Sequence, residues 1–92
     1  MRVALQFRGP LAKKFQEGTI DIEVKNNSTL LDLFKMVIER EESVGEQWSS
    51  PETLDRDALI LCNETDIGLT GGLATKLNEG DTVVILPLIH GG

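Results

Sequence analysis

Residues 82–92 read TVVILPLIHGG. The first eight of them, Thr82 to Ile89, form the most apolar run of the chain. Such a run reads as a strand flanked on both sides in a sheet. Working outward, the EGD of Glu79–Asp81 is a turn signal in front of this strand. Before it, ETDIGLTGGLATKLNEGD is loop-rich, with a short edge strand expected near Ile67–Leu69. ALILCN, from Ala58, reads as another apolar strand. At the other end of the chain RVALQFR alternates, with Val3, Leu5 and Phe7 on one face. TIDIEVK alternates again, placing Ile20, Ile22 and Val24 together. The two read as a hairpin joined by a long connection from Gly9 to Gly18.

Between these halves the period changes. In NNSTLLDLFKMVIEREE, Leu30, Leu33, Phe34, Val37 and Ile38 recur at spacings of three and four, which predicts an amphipathic helix. Thr29 is the expected N-cap, with Asp32 three residues on, and Gly45 offers a stop beyond the charged end. Ser50 before Pro51 suits the start of a short helical turn. The order is strand, strand, helix, strand, possible edge strand, strand. One main helix against a mixed sheet of four or five strands is an α+β two-layer domain. The last strand is expected beside the first, at the sheet centre.

The bulk numbers agree with one small domain. The chain has 92 residues, 40% of them apolar and 26% charged, a balance that buries a modest core and argues against disorder. A single cysteine, Cys62, excludes an internal disulfide, and no Cys/His spacing suits zinc or an iron–sulfur cluster. MRVALQFRGP enters its alternation at once and no stretch is long enough to span a membrane, so no leader, no membrane partner and a cytoplasmic location are expected. A net charge of −6 repels nucleic acid and favours a partner with a basic surface, or simply keeps a small protein soluble.

This order of elements, ending in a glycine pair, resembles the β-grasp fold of ubiquitin-like proteins. The resemblance sharpens over residues 60–92, ILCNETDIGLTGGLATKLNEGDTVVILPLIHGG. An apolar strand, an Asn turn, a GGL…GD segment and an apolar strand running to Gly-Gly are similar to two groups. One is the eukaryotic ubiquitin-related modifier that acts as a sulfur carrier and also ends in His-Gly-Gly. The other is the small subunit of molybdopterin synthase, with the small archaeal modifier proteins. Leu86-Pro87-Leu88-Ile89-His90 differs from the synthase subunit's usual end, where two prolines and a small residue precede the glycines. The residues therefore lean toward a modifier or general sulfur carrier.

The resemblance implies a domain over residues 1–89 and a flexible reactive tail over 90–92. It implies that the Gly92 carboxylate is adenylated by a partner, a ubiquitin-activating-type adenylyltransferase that uses ATP. A sulfur donor or a target-protein lysine then attacks, or the large subunit of molybdopterin synthase takes the tail. No cofactor is expected on the chain itself, and the chain is expected to be a carrier rather than an enzyme. The residue types suit this. Gly91 and Gly92 lack a Cβ and thread a narrow channel, and Leu88–Gly92 in extended form reaches roughly 16 Å. By the same alignment Val83 and Ile85 face the helix. Val84 and Leu86 then face outward as a docking patch that Ile60 or Cys62 joins, continued by Leu88, Ile89 and His90.

Each feature has a plainer alternative. A glycine pair taken alone suits a frayed end, and a loop or the 46–57 segment is the alternative cover for the patch. Trp48 is expected as core or cover before partner anchor, and His90 as a solvated tail residue before an orienting one. An apolar strand makes Cys62 an inert thiol. GGLATK lacks the residues of a phosphate loop, and Asn27 and Asn63 are idle glycosylation matches. Lys13, Lys14, Lys25, Lys35 and Lys76 are surface lysines that conjugation can also use.

Overall fold

The structure, a computed structural model, describes residues 1–88 of the chain. Strands β1 (Arg2–Phe7) and β2 (Thr19–Glu23) pair antiparallel, from Arg2 opposite Glu23 to Gln6 opposite Thr19. Their long connection is not a loose loop. It folds into two 3-10 turns, Gly9–Lys14 and Gln16–Gly18, and Phe15 stacks on Phe7 with ring centroids 4.8 Å apart.

Strands β3 (Ala58–Cys62), β4 (Thr65–Asp66) and β5 (Thr82–Pro87) complete a five-stranded sheet in the order β2-β1-β5-β3-β4. The apolar β5 lies at the centre as its composition predicts, parallel to β1 and antiparallel to β3. The expected edge strand is shifted. Ile67–Leu69 is a 3-10 turn, and the strand is the two residues before it. Asn63 and Glu64, at φ 50° and 71°, make a two-residue turn of mirror-image hand that sets Thr65 opposite Cys62. Asp66 then accepts from the Gly68 N–H at 2.8 Å and turns the chain out of the sheet, while Ile67 is buried.

Helix α1 (Leu30–Arg40) begins at the expected cap. The Asp32 N–H donates to Thr29 Oγ1 at 3.4 Å and the Thr29 N–H donates to Asp32 Oδ2 at 2.9 Å, a reciprocal pair that satisfies two end donors. The backbone N–H and then the hydroxyl of Thr29 hold the Asp32 carboxyl below the usual carboxylate range. Leu30, Leu33, Phe34 and Val37 are buried against the sheet, where Val3, Leu5, Phe7, Val83 and Ile85 face them.

Gly45 does not stop this helix. Glu41 takes φ −106°, ψ 107° and ends α1 at Arg40, and Gly45 sits inside a second short helix, α2 (Glu42–Gln47). A Cβ on Gly45 would lie 2.7 Å from the Ile38 carbonyl oxygen, so the glycine lets α2 fold back tightly on the end of α1. Helix α3 (Pro51–Asp57) starts as expected, with Ser50 and Thr53 capping each other. Trp48 and Leu54 are core residues.

Candidate functional site

Side chains of β5 alternate between two destinations. Val83 and Ile85 are fully buried toward α1, as expected. Val84 is half-buried and Leu86 is 40% exposed on the opposite face. The partners of these two on β3 are Leu61 and Leu59. All four lie on the outer face of the sheet and form one apolar stripe.

Neither Ile60 nor Cys62 joins this patch. They stand opposite Ile85 and Val83, and both are buried on the helix side. A one-residue difference in register exchanges the two faces of a strand. In ALILC every residue is apolar, so alternation gives no sign of which set faces out; only the pairing with β5 selects Leu59 and Leu61. The segment 46–57 does not cover the stripe, because it packs through Trp48 and Leu54 into the core on the α1 side.

The end of β5 is shaped by a proline. The Arg8 N–H donates to the Ile85 carbonyl at 3.0 Å, and in a parallel ladder the next donor from β5 to that neighbour is residue 87. Pro87 has no N–H, so pairing with β1 stops there. Pairing with the β3 side continues one step further, where the Leu88 N–H donates to the Asp57 carbonyl at 2.9 Å. Leu88, the last described residue, is 50% exposed. Ile89, His90, Gly91 and Gly92 lie outside the described residues.

At the opposite end of β5 a buried carboxylate fixes the strand's start. Asp81, 6% exposed, accepts from the Asn78 N–H at 2.7 Å and from Asn63 Nδ2 at 2.8 Å. The Thr82 N–H donates to Asn63 Oδ1 at 2.9 Å. The pieces of the GD turn and the Asn turn are thus tied together by complete hydrogen bonding, an architectural use of polar groups. Burial, with the nearby Asp81 charge, pushes the Cys62 thiol up, which fits its expected inertness. Among the described residues no set of three His, Cys, Asp or Glu is placed to hold a metal ion, and no helix is long and apolar enough to cross a membrane. Among the described residues, the arrangement offers an exposed apolar stripe on the outer sheet face.

Residues 5–92 match the ThiS family. The chain belongs to this family. Over 44 residues it is 48% identical to the sulfur carrier protein CysO of Mycobacterium tuberculosis, a match that spans 48% of this chain and only 47% of that relative. Over the whole chain it is 26% identical to the ubiquitin-related modifier 1 homolog of Chlamydomonas reinhardtii, covering 99% of that protein. The crystal structure of SAMP1 from Haloferax volcanii superposes with a TM-score of 0.79 at 16% identity, each chain covered in full, and shares the fold. A chain of the Amycolatopsis orientalis BexX/CysO complex superposes with a TM-score of 0.68 at 27% identity, covering 98% of this chain and 99% of that one. The expected β-grasp fold is therefore the observed one, in a ThiS-family chain whose relatives are ubiquitin-like sulfur carriers and modifiers.

Proposed function

We propose that this ThiS-family chain carries sulfur, or is joined to proteins, through the carboxylate of Gly92. A ubiquitin-activating-type adenylyltransferase binds the outer sheet face and receives residues 89–92. The carboxylate attacks the α-phosphate of ATP, pyrophosphate leaves, and an acyl-adenylate forms. A sulfur nucleophile then displaces AMP and leaves a thiocarboxylate, or a lysine amine displaces it and forms an isopeptide bond. The chain contributes the electrophile and the docking face, and the partner contributes the catalytic groups. A carboxylate is a poor electrophile until its oxygen becomes part of a leaving group.

The observation that carries this reading is the continuity of the uncovered stripe, Leu59, Leu61, Val84 and Leu86, with Leu88, the last described residue. A partner that covers the stripe is already beside the segment it must draw in. The relatives' names agree with it, and one similar chain is solved in a complex. The protein isolated from its native cells is expected to show, by intact mass, the replacement of one carboxylate oxygen by sulfur, or to appear as conjugates. Only unmodified, unconjugated protein under growth conditions that demand sulfur transfer would sink the proposal.

Substitution of Val84 and Leu86 by Asp tests the face separately. A charge pressed into an apolar contact must be desolvated, so affinity for the adenylating enzyme should fall by about tenfold or more, roughly 1.4 kcal/mol. Calorimetry measures this, with circular dichroism to confirm the fold. Unchanged affinity in a folded double variant would remove the stripe from the binding surface.

A further inference from the structure

A groove of about 400 Å³ crosses the outer sheet face, lined by Gln6, Arg8, Asn63, Glu64, Thr82 and Val84. Thr82 and Val84 of β5 form its floor. Gln6 and Arg8 at the end of β1 form one wall, and the Asn63–Glu64 turn between β3 and β4 forms the other. The walls carry opposite charges and stand two strand spacings apart, roughly 10 Å across the strands, with Arg8 level with Leu86 and Glu64 diagonally opposite, near the Asp81 end of β5.

Both charges are mounted on fixed backbone. The Arg8 N–H donates to the Ile85 carbonyl at 3.0 Å, and its Nη2 donates to Gln6 Oε1 at 3.3 Å, which draws the guanidinium over the groove. Glu64 rides on the tight turn beside Asn63, whose N–H donates to the Thr82 carbonyl at 2.8 Å and whose side chain reaches Thr82 and Asp81. Arg2 pairs with Glu23, and Arg56 with Asp57. Among the described residues Arg8 and Glu64 take part in no ion pair.

We infer that Arg8 and Glu64 fix the orientation in which the adenylating enzyme docks, by meeting an acidic residue of that enzyme at Arg8 and a basic one at Glu64. The inference rests on the proposed use of the sheet face. Its physical ground is that an apolar stripe attracts without direction, so a partner held by Leu59, Leu61, Val84 and Leu86 alone is free to slide or turn on it. A tail that must present its last carbon to within about 1 Å needs a defined register. Opposite charges across the stripe supply one, and they oppose the reversed pose by setting like charges together. This differs in sign from general attraction between an acidic chain and a basic enzyme, in which Arg8 would be an obstacle.

The test uses the full chain, the purified adenylating enzyme that accepts it, and ATP-dependent pyrophosphate exchange at varied chain concentration. Arg8→Glu makes the chain two charges more negative, Glu64→Arg makes it two more positive, and the double variant keeps the net charge while reversing the pair. All three should raise the half-saturating concentration of the chain, by about tenfold for each single variant, and also lower the saturating rate, because part of the bound chain then sits in a register that does not present the tail. Arg8→Lys should stay near the parent value. Opposite shifts for the two single variants, or no shift in either, would overturn the inference while leaving the proposed function intact. Exchange that is absent with the parent chain itself would instead strike the proposed function. Equal melting temperatures are expected throughout, since both side chains are exposed.

Discussion

Deletion of Gly92 is expected to abolish ATP-dependent pyrophosphate exchange by the adenylating enzyme and to leave the melting temperature of the protein where it was. The deletion shortens the chain beyond Leu88 by one residue, about 3.5 Å when extended. The new carboxylate then falls short of the α-phosphate, and near-attack geometry tolerates only about 1 Å of error. Gly91→Val is expected to fail for a different reason. A β-branched side chain restricts the backbone and widens the thread where a narrow channel must take it. Both changes leave unaltered the β5 side chains that fill the core, Val83 and Ile85. Parent-like exchange by the chain lacking Gly92 would show that the terminal carboxylate is not the reacting group. The ThiS-family fold would then serve here as an interaction domain.

How far such a site is legible in sequence depends on what each residue type excludes. The strands β1 and β2 and the helix α1 follow from periods of two and 3.6, because one face of each is wet and the other dry. β5 announces its central place because neither of its faces is polar. β3 is equally apolar, and there the same property hides information. ALILC does not say which of its residues face α1, and the outward pair Leu59 and Leu61 emerges only from the register with Leu86 and Val84. Gly45 is a related case. A glycine after a charged helix end usually marks a left-handed cap, but here it marks a close approach to the Ile38 carbonyl, a tertiary fact with no local signature. The Asn turn at Asn63 is legible in sequence, but the part Glu64 plays in it is not. Glutamate in the left-handed region is uncommon, so no pattern foretold that β4 would begin as early as Thr65. The groove between Arg8 and Glu64 joins residues 56 positions apart in the chain and has no counterpart in any local motif.

Leu33→Ala should be the most damaging single change to the body of the protein. Leu33 is fully buried in the middle of the α1 stripe, between the capped first turn and Val37. Truncation to Ala removes three carbons and leaves a cavity, at a cost of about 2–5 kcal/mol depending on how far the site collapses. A single small domain holds only about 5–15 kcal/mol in all, so the variant stands near the edge of folding. Each kcal/mol is worth roughly 4–8 °C for a domain of this size, so the melting temperature should fall by about 10 °C or more. Urea titration measures the loss directly, and a neutral result would mean that the helix face is wrongly assigned. The variant also separates body from tail. Below its transition it should present the same Leu59–Leu86 stripe and the same terminal carboxylate, and support exchange at the parent rate. Above it, exchange should vanish in step with the unfolding curve. Loss of exchange well below that transition would show that α1 contributes to the enzyme's contact itself, beyond holding the sheet in shape.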